Sequence, residues 1–237
     1  MRLIIIKKNI LFIISIILAL TIIIFIINLL YGNVRETFNS DVYYRGDVDD
    51  KIVAFACNVD WGNEYIPEML KIFNDYNIRI TYFVTGRWAE NNREILKQIY
   101  ESGHEIGNHG YNHVDYDKLT YEKNREEIEK THNIIKEILD MDAKYFAPPS
   151  GAYNENTIKA SKDLGYKLIM WSVDTIDWRK DSTKDIIIKR VIEKIHNSAI
   201  VLMHPTEETV KALPEIIDYL KSNGYEIGKI SDIIKDE

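Results

Sequence analysis

Three histidines and three aspartates stand where apolar runs give way to polar turns, and their types are those of hydrolytic chemistry. In CNVDWGNE, which follows the apolar KIVAFA, Asn58 and Asp60 sit beside Trp61. In HEIGNHGYNH, the Gly and Asn residues around His109 and His113 argue for a loop, in which both imidazoles can still converge on one ion. Adding an oxygen from Asp60 would make a two-nitrogen, one-carboxylate metal site with room for water. The plainer reading is a pair of polar loop histidines bonded to backbone. WSVDTIDW places Asp174 and Asp177 just past an apolar run, either to hold a neighbouring histidine in one tautomer or to cap the next segment. His204 in AIVLMHPTEE is fixed by the proline after it and can give a proton to a leaving amine near neutral pH. A metal, a carboxylate and a histidine acid on one rim would hydrolyse an amide through an activated water. Trp61, Tyr111, Tyr153, Trp171 and Trp178 could floor a sugar-binding groove, although aromatic side chains serve as often in packing.

Parallel strands alternating with helices would bring these residues together. Short apolar runs rich in Ile, Val, Phe and Tyr predict seven strands, at 51–57, 78–84, 105–108, 144–147, 167–171, 199–203 and 225–228. Helical patterns fall between them at 65–74, 88–102, 121–141, 154–164, 182–197 and 210–223, several closed by Gly. Such alternation implies a mostly parallel sheet covered by helices, open or closed into a barrel, with its chemistry beyond the carboxyl ends of the strands. The unusual residues fall at those ends. His104, directly after a helix-ending Gly, reads as an orienting or buried hydrogen-bonded residue.

Residues 10–31 contain no charge over a length that can span a bilayer, and Arg2, Lys7 and Lys8 precede them. They predict a transmembrane signal anchor after a cytoplasmic basic segment at 1–9, with a polar stalk at 32–50 and one folded domain at 51–237 outside the cell. The expected location is therefore the cell membrane, single-pass, with the C-terminal domain extracellular or in the spore-wall space. Three of the 30 basic residues precede this run and all 37 acidic residues follow it, so 27 basic against 37 acidic leaves the exported part at −10. That excess opposes nucleic acid and anionic lipid and fits an uncharged or basic-group substrate. Cys57, the single cysteine, reads as a small core residue more than as a nucleophile.

GHEIGNHGYNH, FAPPSGAYN, WSVDTIDW and IVLMHP, in that order, resemble the NodB-type polysaccharide deacetylases (carbohydrate esterase family 4), most closely the membrane-anchored, sporulation-associated branch. The resemblance implies an irregular (β/α) barrel of about seven parallel strands. It implies a divalent metal, normally zinc, on His109 and His113, and His204 as catalytic acid. The groove wall would be Pro148, Pro149, Ser150 and Gly151, joined by Asn58, Trp61, Tyr153 and Trp178. The implied reaction removes N-acetyl groups from wall glycan containing N-acetylglucosamine. Two positions depart from the family pattern. Asn58 stands where the family has its catalytic base, followed by Val59, and Ala147 stands where an arginine would position that base. Asn cannot accept a proton as a carboxylate does. Asp60, as ligand or base, with Asp174 or Asp177 as substitute base, is the route by which activity would survive. Without it the chain would be a glycan-binding or structural wall protein that keeps the fold.

Overall fold

The computed structural model describes residue 21, residues 41–48 and residues 50–235. The chain divides into two units, Met1–Ser40 and Asp41–Glu237, and the second carries the fold described below. Its strands are β1 (Val42–Tyr43), β2 (Ile52–Val59), β3 (Thr81–Val84), β4 (Glu105–Asn108), β5 (Tyr145–Phe146), β6 (Lys167–Ile169), β7 (Val173–Asp174), β8 (Ile200–Met203) and β9 (Glu226–Gly228). Eight of them follow the path β1-β6-β5-β4-β3-β2-β8-β7, while β9 pairs with β2, and every strand pairing is parallel. The result is an irregular, open (β/α) barrel. About seven strands were expected. The additional ones are two-residue pieces, β1 and β7, too short to show a hydrophobic period, and β1 lies in the span read as a stalk.

Between the strands lie α1 (Ile66–Asp75), α2 (Gly86–Asn91), α3 (Arg93–Glu101), α4 (Tyr121–Leu139), α5 (Glu155–Asp163), α6 (Lys184–Lys194), α7 (Glu207–Ser222) and α8 (Ile230–Ile233). Side chains of a strand alternate between faces, and β2 shows what that does here. Its odd residues Val53, Phe55, Cys57 and Val59 enter the large core beneath the helices, while Ala54 and Ala56 enter a smaller core inside the barrel. Nearly all of β2 is buried, as expected of a central parallel strand. Cys57 is fully buried, so burial holds its thiol well above the usual range, and it acts as core filling.

The expectation of a preceding transmembrane helix, with a membrane as partner and a single-pass location, is corrected. Among the described residues no helix is long and apolar enough to cross a membrane. The longest, α4, has 19 residues but is amphipathic and rich in Glu and Lys. Residues 10–31, on which the expectation rested, lie outside the described residues apart from Thr21.

Candidate functional site

Strand register gathers the site. Cys57 pairs with Met203, so the next residues, Asn58 and His204, emerge side by side from β2 and β8. Asp174 pairs with Leu202 on the other side of β8. Asn108 pairs with Phe146, which sets His109 beside Ala147 at the ends of β4 and β5. These residues follow the same period-2 face as Ala54 and Ala56, so the interior layer that is apolar at its base becomes polar at its mouth. There a cavity of about 360 Å³ opens, lined by Asn58, Asp60, His109, His113, Ser150, Asp174 and His204 together with Trp61, Trp171, Trp178 and Leu202.

His204 is held in place by a single carboxylate. Asp177, 4% exposed, accepts from His204 Nδ1 at 2.8 Å and, through its other oxygen, from the His204 amide at 2.7 Å and Thr209 Oγ1 at 2.6 Å. A carboxylate only accepts, so Nδ1 carries the proton and Nε2 faces the cavity. The turn that delivers Asp177 is strained, since the β-branched Ile176 sits at φ 52. Asp174 Oδ1 holds it by accepting from the Ile176 amide at 2.7 Å, while Ser182 and Arg190 donate to the Ile176 carbonyl. Asp174 therefore shapes this turn and Asp177 orients the histidine. Opposite them, the Trp61 ring stacks on His204 with an interplanar angle of 2° and centroids 6.0 Å apart. Gly62, at φ +84, makes that approach possible, because a Cβ there would run into the Pro205 carbonyl.

His109 is 1% exposed and donates from Nδ1 to the Ala147 carbonyl at 2.7 Å, leaving Nε2 as a bare acceptor. Burial, followed by the charges of His113 and His204, lowers its pKa to about 3, so the ring stays neutral. The His113 ring lies 5.2 Å from it, centroid to centroid, on a residue with φ 54. His104 is remote from the cavity and accepts from the Ile80 amide at 3.1 Å as a buried structural group.

A third metal ligand does not join the two histidines. Asp60 is clamped instead: Arg87 donates to both its oxygens at 3.1 and 2.9 Å, and Thr85 Oγ1 donates to Oδ1 at 2.6 Å. Among the described residues no three His, Cys, Asp or Glu side chains are placed to hold an ion. The expected divalent metal, zinc on His109, His113 and Asp60, is corrected accordingly, because the donor set does not fit it. Asn58, at the end of β2, is 5% exposed, and its Oδ1 is buried without a hydrogen-bond partner among the described residues.

Arg87 and Thr85 were not anticipated. Thr85 caps α2 by accepting from the Trp88 amide at 3.3 Å. The cap signal in VTGRW was legible, but not that the same hydroxyl and the next turn's Arg would reach back across the rim. Pro148, Pro149, Gly151 and Tyr153 are not among the cavity's lining residues. Tyr153 bonds instead to Tyr44 through their hydroxyls at 2.7 Å, and Ser150, forced to φ 57 by its turn, is the member of that segment that reaches the cavity.

Comparison with known proteins agrees with this geometry. A family model described as polysaccharide deacetylase matches residues 45–169, more than half of the chain. The crystal structure of a wild-type CE4 family pseudoenzyme from Bacillus anthracis superposes with a TM-score of 0.79 at 40% identity, covering 81% of this chain and 68% of that one. A mutant of that pseudoenzyme with restored enzymatic activity gives a TM-score of 0.79 at 38% identity, over 81% of this chain and 70% of that one. Among curated relatives, the uncharacterized protein YlxY of Bacillus subtilis is 39% identical over 87% of this chain. This chain spans 66% of that relative's length, just under two thirds. The peptidoglycan-N-acetylmuramic acid deacetylase PdaA of Bacillus subtilis is 29% identical over 82% of this chain and 75% of its own. By fold, site layout and these matches, the chain belongs to the polysaccharide deacetylase family.

Proposed function

We propose that this protein is a catalytically inactive member of its family that binds amino-sugar wall glycan in the cavity at the barrel mouth. One observation carries the reading. The position from which a carboxylate would take a proton holds the neutral Asn58, and the two carboxylates of the lining are committed elsewhere: Asp60 is clamped by Arg87 and Thr85, and Asp174 holds the Ile176 turn through Oδ1. Ala147 offers no guanidinium to orient a base, so the two departures form one coherent loss. The similarity to a protein described as a CE4 family pseudoenzyme supports the same conclusion. Relatives described as peptidoglycan deacetylases support wall glycan containing N-acetylglucosamine as the ligand class. The longer turn CNVDWG is what favours kinship with the sporulation-associated branch.

Binding would use the parts that remain. Trp61, 45% exposed, and Trp178, 57% exposed, offer flat apolar faces for pyranose rings, while Ser150, His109 and His204 supply hydrogen bonds. The test is calorimetric titration of the full chain with soluble peptidoglycan fragments. Saturable binding that is weakened at least about tenfold by Trp61→Ala or Trp178→Ala is expected, tenfold being 1.4 kcal/mol. Absence of binding to any wall glycan would remove the proposal.

A further inference from the structure

The CNVDWGN turn is anchored on both sides of Trp61 by one helix, and we infer that Asn63, with Asn92 behind it, is a positioning residue that holds the Trp61 indole as a preformed platform for the glycan. The inference rests on the glycan-binding reading above and goes on to what fixes the platform before a ligand arrives. On one side Asp60 is clamped by Thr85 and Arg87. On the other, Trp88 Nε1 donates to Asn63 Oδ1 at 2.5 Å, Asn63 Nδ2 donates to Asn92 Oδ1 at 2.6 Å, and Asn92 Nδ2 donates to the Trp88 carbonyl at 2.8 Å. An indole N–H only donates and a carbonyl only accepts, so these bonds close a ring with each amide in one orientation. Thr85 and Asn92 cap the two ends of α2, and Arg87 and Trp88 lie within it, so the whole brace belongs to that helix.

Trp61 is 45% exposed, yet little freedom is left to it. The anchors at Asp60 and Asn63 set the direction of its Cα–Cβ bond, Gly62 brings that backbone against the Pro205 carbonyl, and the stack on His204 selects the rotamer of the ring. His204 is itself fixed by Asp177. The same helix is tied to the loop that carries the two cavity histidines, since the Gly86 and Arg87 amides donate to the carbonyls of Gly110 and Tyr111 at 2.9 and 3.3 Å. Trp61 and the histidine loop therefore lean on one support. A side chain ordered in advance avoids the cost of ordering it on binding, which is about three- to tenfold in affinity. Asn63 does not line the cavity and acts through Trp61.

The full chain, Asn63→Ala, Trp61→Ala and the two changes combined would be titrated with soluble peptidoglycan fragments. Magnetic resonance of the His204 ring protons, which the stacked indole shifts by its ring current, would be followed in each. Asn63→Ala is expected to weaken binding about three- to tenfold in the natural background and to add nothing in the Trp61→Ala background, and to move the His204 signals toward their Trp61→Ala positions. Asn92→Ala should follow Asn63→Ala, and Asn92→Asp, which keeps an acceptor for the Asn63 amide, should recover most of that loss. Unchanged affinity, a loss of equal size in both backgrounds, or His204 signals unmoved by Asn63→Ala would overturn the inference, because Asn63 would then do no more than satisfy the Trp88 indole. If the natural chain binds no peptidoglycan fragment, the glycan-binding reading falls, and the His204 signals alone decide whether Asn63 holds Trp61.

Discussion

Replacing Asp177 separates orientation of His204 from mere packing, and the structure sets the size of the effect. Its carboxylate receives three donors at 2.6 to 2.8 Å, two of them from His204. Asp177→Ala leaves all three behind. The Thr209 hydroxyl keeps a partner in Thr206, at 2.8 Å, and the partly exposed imidazole can turn to water, so the largest loss is the buried His204 amide. Hydrogen bonds to a charged group contribute about 1.5–3 kcal/mol each, and these are not additive, so a total loss of roughly 3–5 kcal/mol is expected. For a unit of this size that corresponds to a fall in Tm of about 6–20 °C. Asp177→Asn keeps the shape. Its oxygen can serve the His204 amide and Thr209, while its NH₂ meets Nδ1 only if the ring moves its proton to Nε2. The expected cost is then about 1–2 kcal/mol, and nitrogen NMR of the His204 ring should report the switched tautomer. The assay is urea unfolding of both variants beside the natural chain. A loss below about 0.5 kcal/mol for Asp177→Ala, or an unswitched ring in a folded Asp177→Asn, would refute the assignment of Asp177 as the group that orients His204.

Acid should weaken the fold through its buried histidines. His109 and His104, with pKa values lowered from 6.5 to about 3 and about 4 chiefly by burial, stay neutral in the folded chain while the unfolded chain takes up protons below pH 6.5. Stability that is complete above pH 6.5 is therefore lost as pH falls, by about 2 kcal/mol for each histidine at pH 5; a urea midpoint constant between pH 7 and 5 would contradict this. Gly62→Ala meets both a φ of +84 and the Pro205 carbonyl, and should cost at least about 1 kcal/mol by urea titration and weaken glycan binding by displacing Trp61. Asn154→Ala removes the α5 capping box with Thr157 and should cost about 1 kcal/mol without changing glycan affinity. Arg87→Ala breaks an ion pair that is half exposed on the arginine side, so its stability change should stay within about 1 kcal/mol.

Local pattern carried much of this architecture, and distant pairing carried the rest. The rule that parallel strands place chemistry at their carboxyl ends brought Asn58, His109, Asp174 and His204 to one rim before any coordinates, because register and period two leave little choice. A single helix expected over 88–102 is broken into α2 and α3 at Asn92, whose side chain donates to the Trp88 carbonyl at 2.8 Å and competes with the helical ladder. Asp60 read as a free carboxylate since nothing near it in sequence pairs with it; its partner Arg87 is 27 residues away. Tyr153 read as a groove residue for the same reason, its partner Tyr44 being 109 residues distant.

The most direct measurement is acetate release from N-acetylated wall glycan by the full natural chain, with and without added divalent ion, beside the double variant Asn58→Asp with Ala147→Arg. No release by the natural chain and measurable release by the double variant is the expected result, since the groove and His204 remain and the variant returns a carboxylate to the mouth with a cation to orient it. Release by the natural chain that is abolished by His204→Ala would contradict the loss of acid-base chemistry at Asn58.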